Sequence, residues 1–192
     1  IPKLSFLTAG GVSIADTELS QLDQLKSLTL YNCGIDGFKF LSSCTDLYQL
    51  HITGGYLIGD DEIDMIEAFT YGMLKQKKLQ YLTSSFTTGP ILSYCPEVIE
   101  NMKELRDFTT IESDSEEGYF GIFNFENNTK LKRIVFSNIQ KYEKYDLEIF
   151  RGLKNLEMLW LTGSESYRNV EVLSELENLQ SFVCERSGTE SL

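Results

Sequence analysis

The chain has 192 residues, enough for one domain with a sizeable core and too few for two large ones. Its 42 % hydrophobic and 24 % charged residues are those of a globular protein, and no apolar run approaches the roughly 18 residues of a membrane span. The net charge of −12 repels a phosphate backbone or an anionic membrane at long range, so the expected partner is a protein with a basic surface and not a nucleic acid. The opening stretch IPKLSFLTAGG lacks an initiator Met and the features of a signal peptide, as expected of a processed chain or an excised fragment.

Short apolar segments then recur along the chain. LSFLTA starts at Leu4, LKSLTLYNCGI at Leu25, LYQLHITGGYL at Leu47 and LQYLTS at Leu79. LRDFTT follows from Leu105, LKRIVF from Leu131, LEMLWL from Leu156 and LQSFVC from Leu179. Successive anchor spacings are 21, 22, 32, 26, 26, 25 and 23, with a mean of 25. In each segment the second and third leucine-type residues alternate with other residues as in a short strand, so they share one side. One such unit cannot bury its own apolar side; stacking many in a parallel sheet fuses those sides into a core.

The second unit supplies Leu25, Leu28, Leu30, Cys33 and Ile35, which match the pattern L-x-x-L-x-L-x-x-N/C-x-L at every fixed position. On these residues and this spacing the chain resembles the leucine-rich repeat family over nearly its whole length. The resemblance implies an α/β solenoid, a horseshoe of about eight irregular repeats forming a single domain over 1–192. A parallel sheet would line the inside, with short helices and loops outside. It also implies that the Cys33 side chain hydrogen-bonds the loop backbone after its strand. Gly55, Phe86 and Ser164 stand near the corresponding positions elsewhere, which predicts irregular loops there.

Between the strands the periodicity predicts helices. Residues 60–78 place Ile63, Ile66, Phe69 and Met73 on one face, with Met65 and Leu74 nearby, in the long interval from Leu47 to Leu79. Acidic residues open this segment and Lys75, Lys77 and Lys78 close it, as the helix dipole favours. EVIENMKEL, YDLEIFRGL (closed near Gly152) and VEVLSELENL predict three further short helices.

No catalytic set can be assembled. His51 is the single imidazole, at an outward strand position beside Thr29 and Thr83, with no acid to orient it. GGYLIGD, Gly54 to Asp60, lacks the Lys-Ser/Thr of a phosphate loop and reads as turn glycines. ESDSEEG, Glu112 to Gly118, lacks EF-hand spacing and reads as a solvated loop. Cys33, Cys44, Cys95 and Cys184 contain no CxxC pair, and with one histidine no zinc site, other metal or cofactor is expected. So sparse a set favours thiols in a reducing compartment and hence a cytoplasmic location. The sequon at Asn127 would matter only in a secreted chain.

The outward side of the sheet remains. Its central positions are Thr8, Thr29, His51, Thr83, Thr109, Val135, Trp160 and Val183, flanked by Phe6, Tyr31, Gln49, Tyr81, Asp107, Arg133 and Met158. Tyr31, His51 and Tyr81, with Phe86 just beyond, form an aromatic, hydrogen-bonding neighbourhood. Val135, Met158, Trp160 and Val183 form an exposed apolar patch bordered by Arg133, Glu185 and Arg186. The expected function is a non-enzymatic protein-interaction module or scaffold that binds its partner on this concave face. The expected contacts are Tyr31, His51, Tyr81, Phe86, Arg133, Val135, Met158 and Trp160. Two alternatives stand beside it. One is the ligand-sensing or substrate-receptor region of a larger regulatory, immune or ubiquitin-pathway protein; the other is a secreted adhesion or surface protein.

Overall fold

The computed structural model describes residues 3–58, 62–85, 95–111, 123–137, 139, 145–164 and 166–185. Every anchor leucine is followed two residues later by a strand. The first unit runs through β1 (Phe6–Gly10), β2 (Ser13–Ile14) and α1 (Asp16–Leu19). The second contains β3 (Ser27–Tyr31), β4 (Gly34–Ile35) and α2 (Phe40–Ser43), and the third β5 (Gln49–Thr53), β6 (Tyr56–Leu57) and α3 (Glu62–Met73). β7 (Tyr81–Ser85) and α4 (Pro96–Glu100) follow, then β8 (Asp107–Ile111). The sixth unit has β9 (Arg133–Ser137), β10 (Tyr145–Asp146) and a 3₁₀ turn at Leu147–Phe150. β11 (Met158–Thr162), β12 (Tyr167–Arg168), a 3₁₀ turn at Val170–Glu175 and β13 (Ser181–Glu185) complete the series.

The eight longer strands form one parallel sheet in the order β1-β3-β5-β7-β8-β9-β11-β13. Their leucine-type residues meet in register, for example Leu28 with Leu50 and Ile134 with Leu159. The six inner anchors, from Leu25 to Leu156, are fully buried, whereas Leu4 and Leu179 at the two ends are half-buried. The third inward column changes character midway, where Ser84 and Thr110 replace leucine inside the core. In the later units Phe108, Phe123, Phe125, Phe136 and Phe150 fill the volume with rings 5.3–6.3 Å apart.

The turn after each strand has its own rule. Gly11, Asn32, Gly54 and Gly163 directly follow β1, β3, β5 and β11, and all four have positive φ. Only glycine, or asparagine at small cost, adopts this conformation readily. The bend carries the pairing one residue further: the Gly11 and Asn32 amides donate to the carbonyls of Tyr31 and Thr53 at 3.0 and 2.8 Å. One residue on, β2, β4 and β6 make a second, three-stranded sheet. Gly55 is at φ +88°, and a Cβ there would lie 2.2 Å from the Cys33 carbonyl oxygen, so no larger residue fits.

Three expectations change. The Cys33 thiol donates to the carbonyls of Ala9 and Tyr31 at 3.5 and 3.6 Å, at strand ends and not in the following loop. Ser164 is a working substitute, its buried hydroxyl donating to the Ser166 carbonyl at 2.6 Å. Phe86 lies outside the described residues. The long helix buries Met65, Phe69 and Met73, while Ile63 is 70 % exposed. The face is turned because α2 sits beside it: Phe69 meets Phe38 edge to face at 5.0 Å, and Gly72 abuts Leu41. The helices expected in YDLEIFRGL and VEVLSELENL are 3₁₀ turns of 4 and 6 residues, too short to close several α-helical bonds.

Two buried amides tie the outer layer together. Gln76 donates to the carbonyls of Leu41 and Gly72 at 2.6 and 3.2 Å. Asn128 donates to those of Ile99 and Met102 at 2.8 and 2.9 Å, a second donor for each beside the backbone amides of Met102 and Leu105, and so ties its unit to the end of α4 and the turn beyond it. Asn128→Ala removes a fully buried amide and the second donor of each carbonyl, which keep the Met102 and Leu105 backbone amides, and is expected to cost roughly 1–3 kcal/mol in urea denaturation. Asn155→Ala, which removes an exposed bond to the Thr129 carbonyl, is expected to cost about 1 kcal/mol or less. Equal losses from the two variants would show that burial does not set the strength of these amide links.

Candidate functional site

Sheet register arranges the outward side chains in three rows. The central row runs Thr8, Thr29, His51, Thr83, Thr109, Val135, Trp160 and Val183, each opposite the next. The row at the strand starts runs Phe6, Ser27, Gln49, Tyr81, Asp107, Arg133, Met158 and Ser181. The third, at the strand ends, includes Gly10, Tyr31, Thr53 and Glu185.

The first half of this face holds its exposed rings. Phe6 is 63 % exposed, Tyr31 49 % and Tyr81 38 %. The Tyr31 ring lies over Gly10, where a Cβ would come within 1.9 Å of it; that glycine is the seat of the ring. Tyr48 joins the group, meeting Phe6 at 6.5 Å and Tyr81 at 6.4 Å, both edge to face. Sequence reasoning passed over Tyr48 because it follows an anchor leucine, outside the alternating strand positions. Its one signal was an aromatic ring where other units have Ser, Lys, Gln, Arg or Glu.

His51 is half-buried, with a hydrogen bond of 2.6 Å joining its Nδ1 to Thr83 Oγ1. Burial holds its pKa below the usual imidazole value, and the Asp107 carboxylate pulls weakly the other way. Asp107 itself is engaged: the Arg133 guanidinium donates to both its oxygens at 2.9 and 3.0 Å and to Thr109 Oγ1 at 3.0 Å. Arg133 is the only Lys or Arg in the three outward rows, and this carboxylate already holds it.

The expected apolar patch is assembled but only partly exposed. Trp160 stands opposite Val135 on one side and Val183 on the other, with Met158 adjoining. Yet Val135 is only 7 % exposed, and Met158, Trp160 and Val183 are half-buried. Val135 is flanked in register by Thr109 and Trp160 on the neighbouring strands. At that exposure Val135 itself offers a partner little surface. Phe86, Arg186 and the acidic run 112–118 lie outside the described residues, as does Asp60 of the glycine loop. Gly54 and Gly55 of that loop have positive φ, as turn glycines do. Among the described residues no cluster of three or more His, Cys, Asp or Glu could hold a metal ion, and no helix is long and apolar enough to cross a membrane.

No family model and no curated protein sequence matches the chain. Solved structures do. TLR13, in a complex with ssRNA13, aligns with 96 % of this chain at 20 % identity and a TM-score of 0.63. Internalin C2 of Listeria monocytogenes aligns with 97 % at 14 % identity and a TM-score of 0.63. A leucine-rich-repeat protein of Leptospira interrogans aligns with 94 % at 19 % identity and a TM-score of 0.55. The chain has the leucine-rich-repeat fold. It spans 25 % of the TLR13 chain, 74 % of the internalin chain and 48 % of the Leptospira chain. At these identities the likeness establishes the repeat fold alone, and the site must be argued from this chain's own residues.

The repeat protein's one histidine gives a pH test. Because the folded state lowers its pKa, the unfolded chain binds the proton first. The stability held by neutral His51 is therefore complete above about pH 6.5 and is lost as pH falls towards the folded-state value. Between about pH 7.5 and about pH 5.5, the urea midpoint of the native chain is expected to drop further than that of His51→Gln. Parallel pH profiles for the two would contradict this assignment.

Proposed function

We propose that the chain is a non-catalytic protein-interaction module that holds a protein partner on the outward face of its main sheet. The observation that carries this reading is the exposure of Tyr31 and Tyr81 on strands bonded to neighbours on both sides. Rings fixed on a stiff base lose little freedom on binding and supply the anchors of interfaces. His51 lies between them with hydrogen-bonding capacity, while Arg133, Met158 and Trp160 extend the surface; Phe86 joins the set on sequence position alone. The non-catalytic part rests on His51, which bonds Thr83, while the Asp107 carboxylate that acts weakly on it is held by Arg133. A protein is favoured over a nucleic acid because, among the described residues, the face offers phosphates no unpaired cation. A sensing region within a larger protein is a second reading, favoured by the chain's spanning only part of longer proteins of this fold; flanking sequence encoding an effector domain would support it, and its absence would remove it.

Affinity capture from the source cell with the native chain and a Tyr31→Ala, Tyr81→Ala double variant tests the main reading. The variant is expected to lose the captured protein by about tenfold or more while its melting temperature stays within a few degrees. An identical captured set, or none with the native chain, would sink the proposal. We further place the chain in a reducing compartment, the cytoplasm. Cys33 and Cys44 are buried thiols that donate to backbone carbonyls, Cys44 to Leu22 at 3.3 Å. Burial, with Asp23 and Asp16 nearby, pushes Cys44 up to about 11. Thiol titration of chain isolated without reductant is expected to find all four cysteines free on denaturation, with Cys44 unreactive in the native state. A disulfide would contradict the cytoplasmic placement.

A further inference from the structure

The turns leading into the strands carry a charge opposite to that of the whole chain. In the fourth to sixth units they read Lys77-Lys78-Leu79-Gln80, Lys103-Glu104-Leu105-Arg106 and Thr129-Lys130-Leu131-Lys132, six cations against one carboxylate, a local +5 in a chain of −12. The same positions in the second and seventh units are neutral, and in the third and eighth units −1. Backbone bonds hold the three segments side by side: the Arg106 amide donates to the Gln80 carbonyl and the Lys132 amide to the Arg106 carbonyl, each at 2.8 Å. Their leucines are fully buried, which turns the charged neighbours to solvent.

Part of this charge is paired. Lys78 meets Asp46 at 2.6 Å, Lys130 meets Glu104 at 2.6 Å and Lys132 meets Glu157 at 2.5 Å. Counting the flanking Asp46 and Glu157 leaves +3. Lys103 and Arg106 make no ion pair among the described residues, and Lys77 reaches only the Asn101 amide oxygen at 3.2 Å. Beside them opens a groove of about 450 Å³ lined by Lys26, Asp46, Tyr48, Lys78, Gln80 and Glu104, whose two carboxylates are paired with Lys78 and Lys130. Tyr48 leads directly to the exposed Tyr81 ring.

We propose that this strand-entry edge is a second interaction surface, one that takes an acidic protein segment with an aromatic or aliphatic residue among its carboxylates. The carboxylates meet Lys77, Lys103 and Arg106, and the apolar residue enters the groove against Tyr48. Three unpaired cations suit a segment of few charges. A nucleic acid needs many phosphate contacts and brings dense negative charge against the molecule's own −12, which disfavours it here. The surface adjoins the outward face at Tyr48, but its cations lie outside the three outward rows, and its test does not depend on the reading proposed for that face. A basic partner, expected from net charge, does not suit this edge.

The probe is a short fluorescein-labelled peptide of glutamates interrupted by phenylalanine, followed by anisotropy with the intact chain. Binding is expected to weaken as salt rises, and to fall about tenfold or more in the Lys103→Glu, Arg106→Glu double variant. Lys103→Ala, Arg106→Ala is expected to show a smaller loss in the same direction, and Val170→Ala, an exposed change in the 3₁₀ turn of the seventh unit, none. Both edge residues are exposed and unpaired, so the melting temperatures of these variants are expected to match the native chain. No peptide binding, or equal binding by the charge-reversed variant, overturns the proposal. Tighter binding of an oligouridylate that displaces the peptide also overturns it, by making the edge a nucleic-acid surface.

Discussion

Everything in this molecule depends on a constraint that no single unit can satisfy: a strand of five residues must find backbone partners on both sides and cover for its leucines. The point of entry shows how closely the units are tied. The Ser5 carbonyl accepts from the amides of both Lys26 and Ser27, at 2.8 and 3.1 Å, and the Lys132 carbonyl likewise from Glu157 and Met158, at 2.8 and 3.0 Å. The same doubled acceptor recurs at every step between, so each unit fixes the height and angle of the next. Burial of the anchor leucines then supplies the drive, through apolar area removed from water. Ion pairs between neighbouring turns are mostly exposed and add little to stability.

That constraint explains why some features were legible and others were not. Template and spacing located all eight strands, because an anchor leucine must sit two residues before its strand for the alternation to reach the core. They also placed Trp160 beside Val135 and Val183, since parallel pairing in register follows once the anchors align. What they could not give is exposure. Period two tells which side Val135 takes, but its neighbours there come from two strands far away in sequence.

The outer layer was less legible for a related reason. In α3 several apolar faces overlap, and the sequence placed Ile63 on the inward face with Met65 only nearby; the choice was made by Phe38 and by Leu41 of α2, from another unit. Asn128 looked like part of a surface sequon, yet it is fully buried and holds two carbonyls of a different unit. In each case the deciding neighbour is about one repeat away, beyond any local pattern. Tyr48 was missed in the same way: its ring matters because Phe6 and Tyr81 come to it across strands.

Charge follows this logic too. A net −12 suggests an acidic molecule throughout, but a solenoid sorts residues by repeat position, so each row has its own balance. The three outward rows contain Asp107 and Arg133, which neutralise each other, and Glu185 near one end. The entry turns of the middle units are basic. The excess of carboxylates therefore belongs mainly to the loops and outer segments between strands. Long-range steering is set by the sum of all rows, whereas affinity at a contact is set by the row that the partner touches. For a repeat protein, net charge is thus a poor guide to partner chemistry, and charge read position by position around the repeat is the more informative quantity.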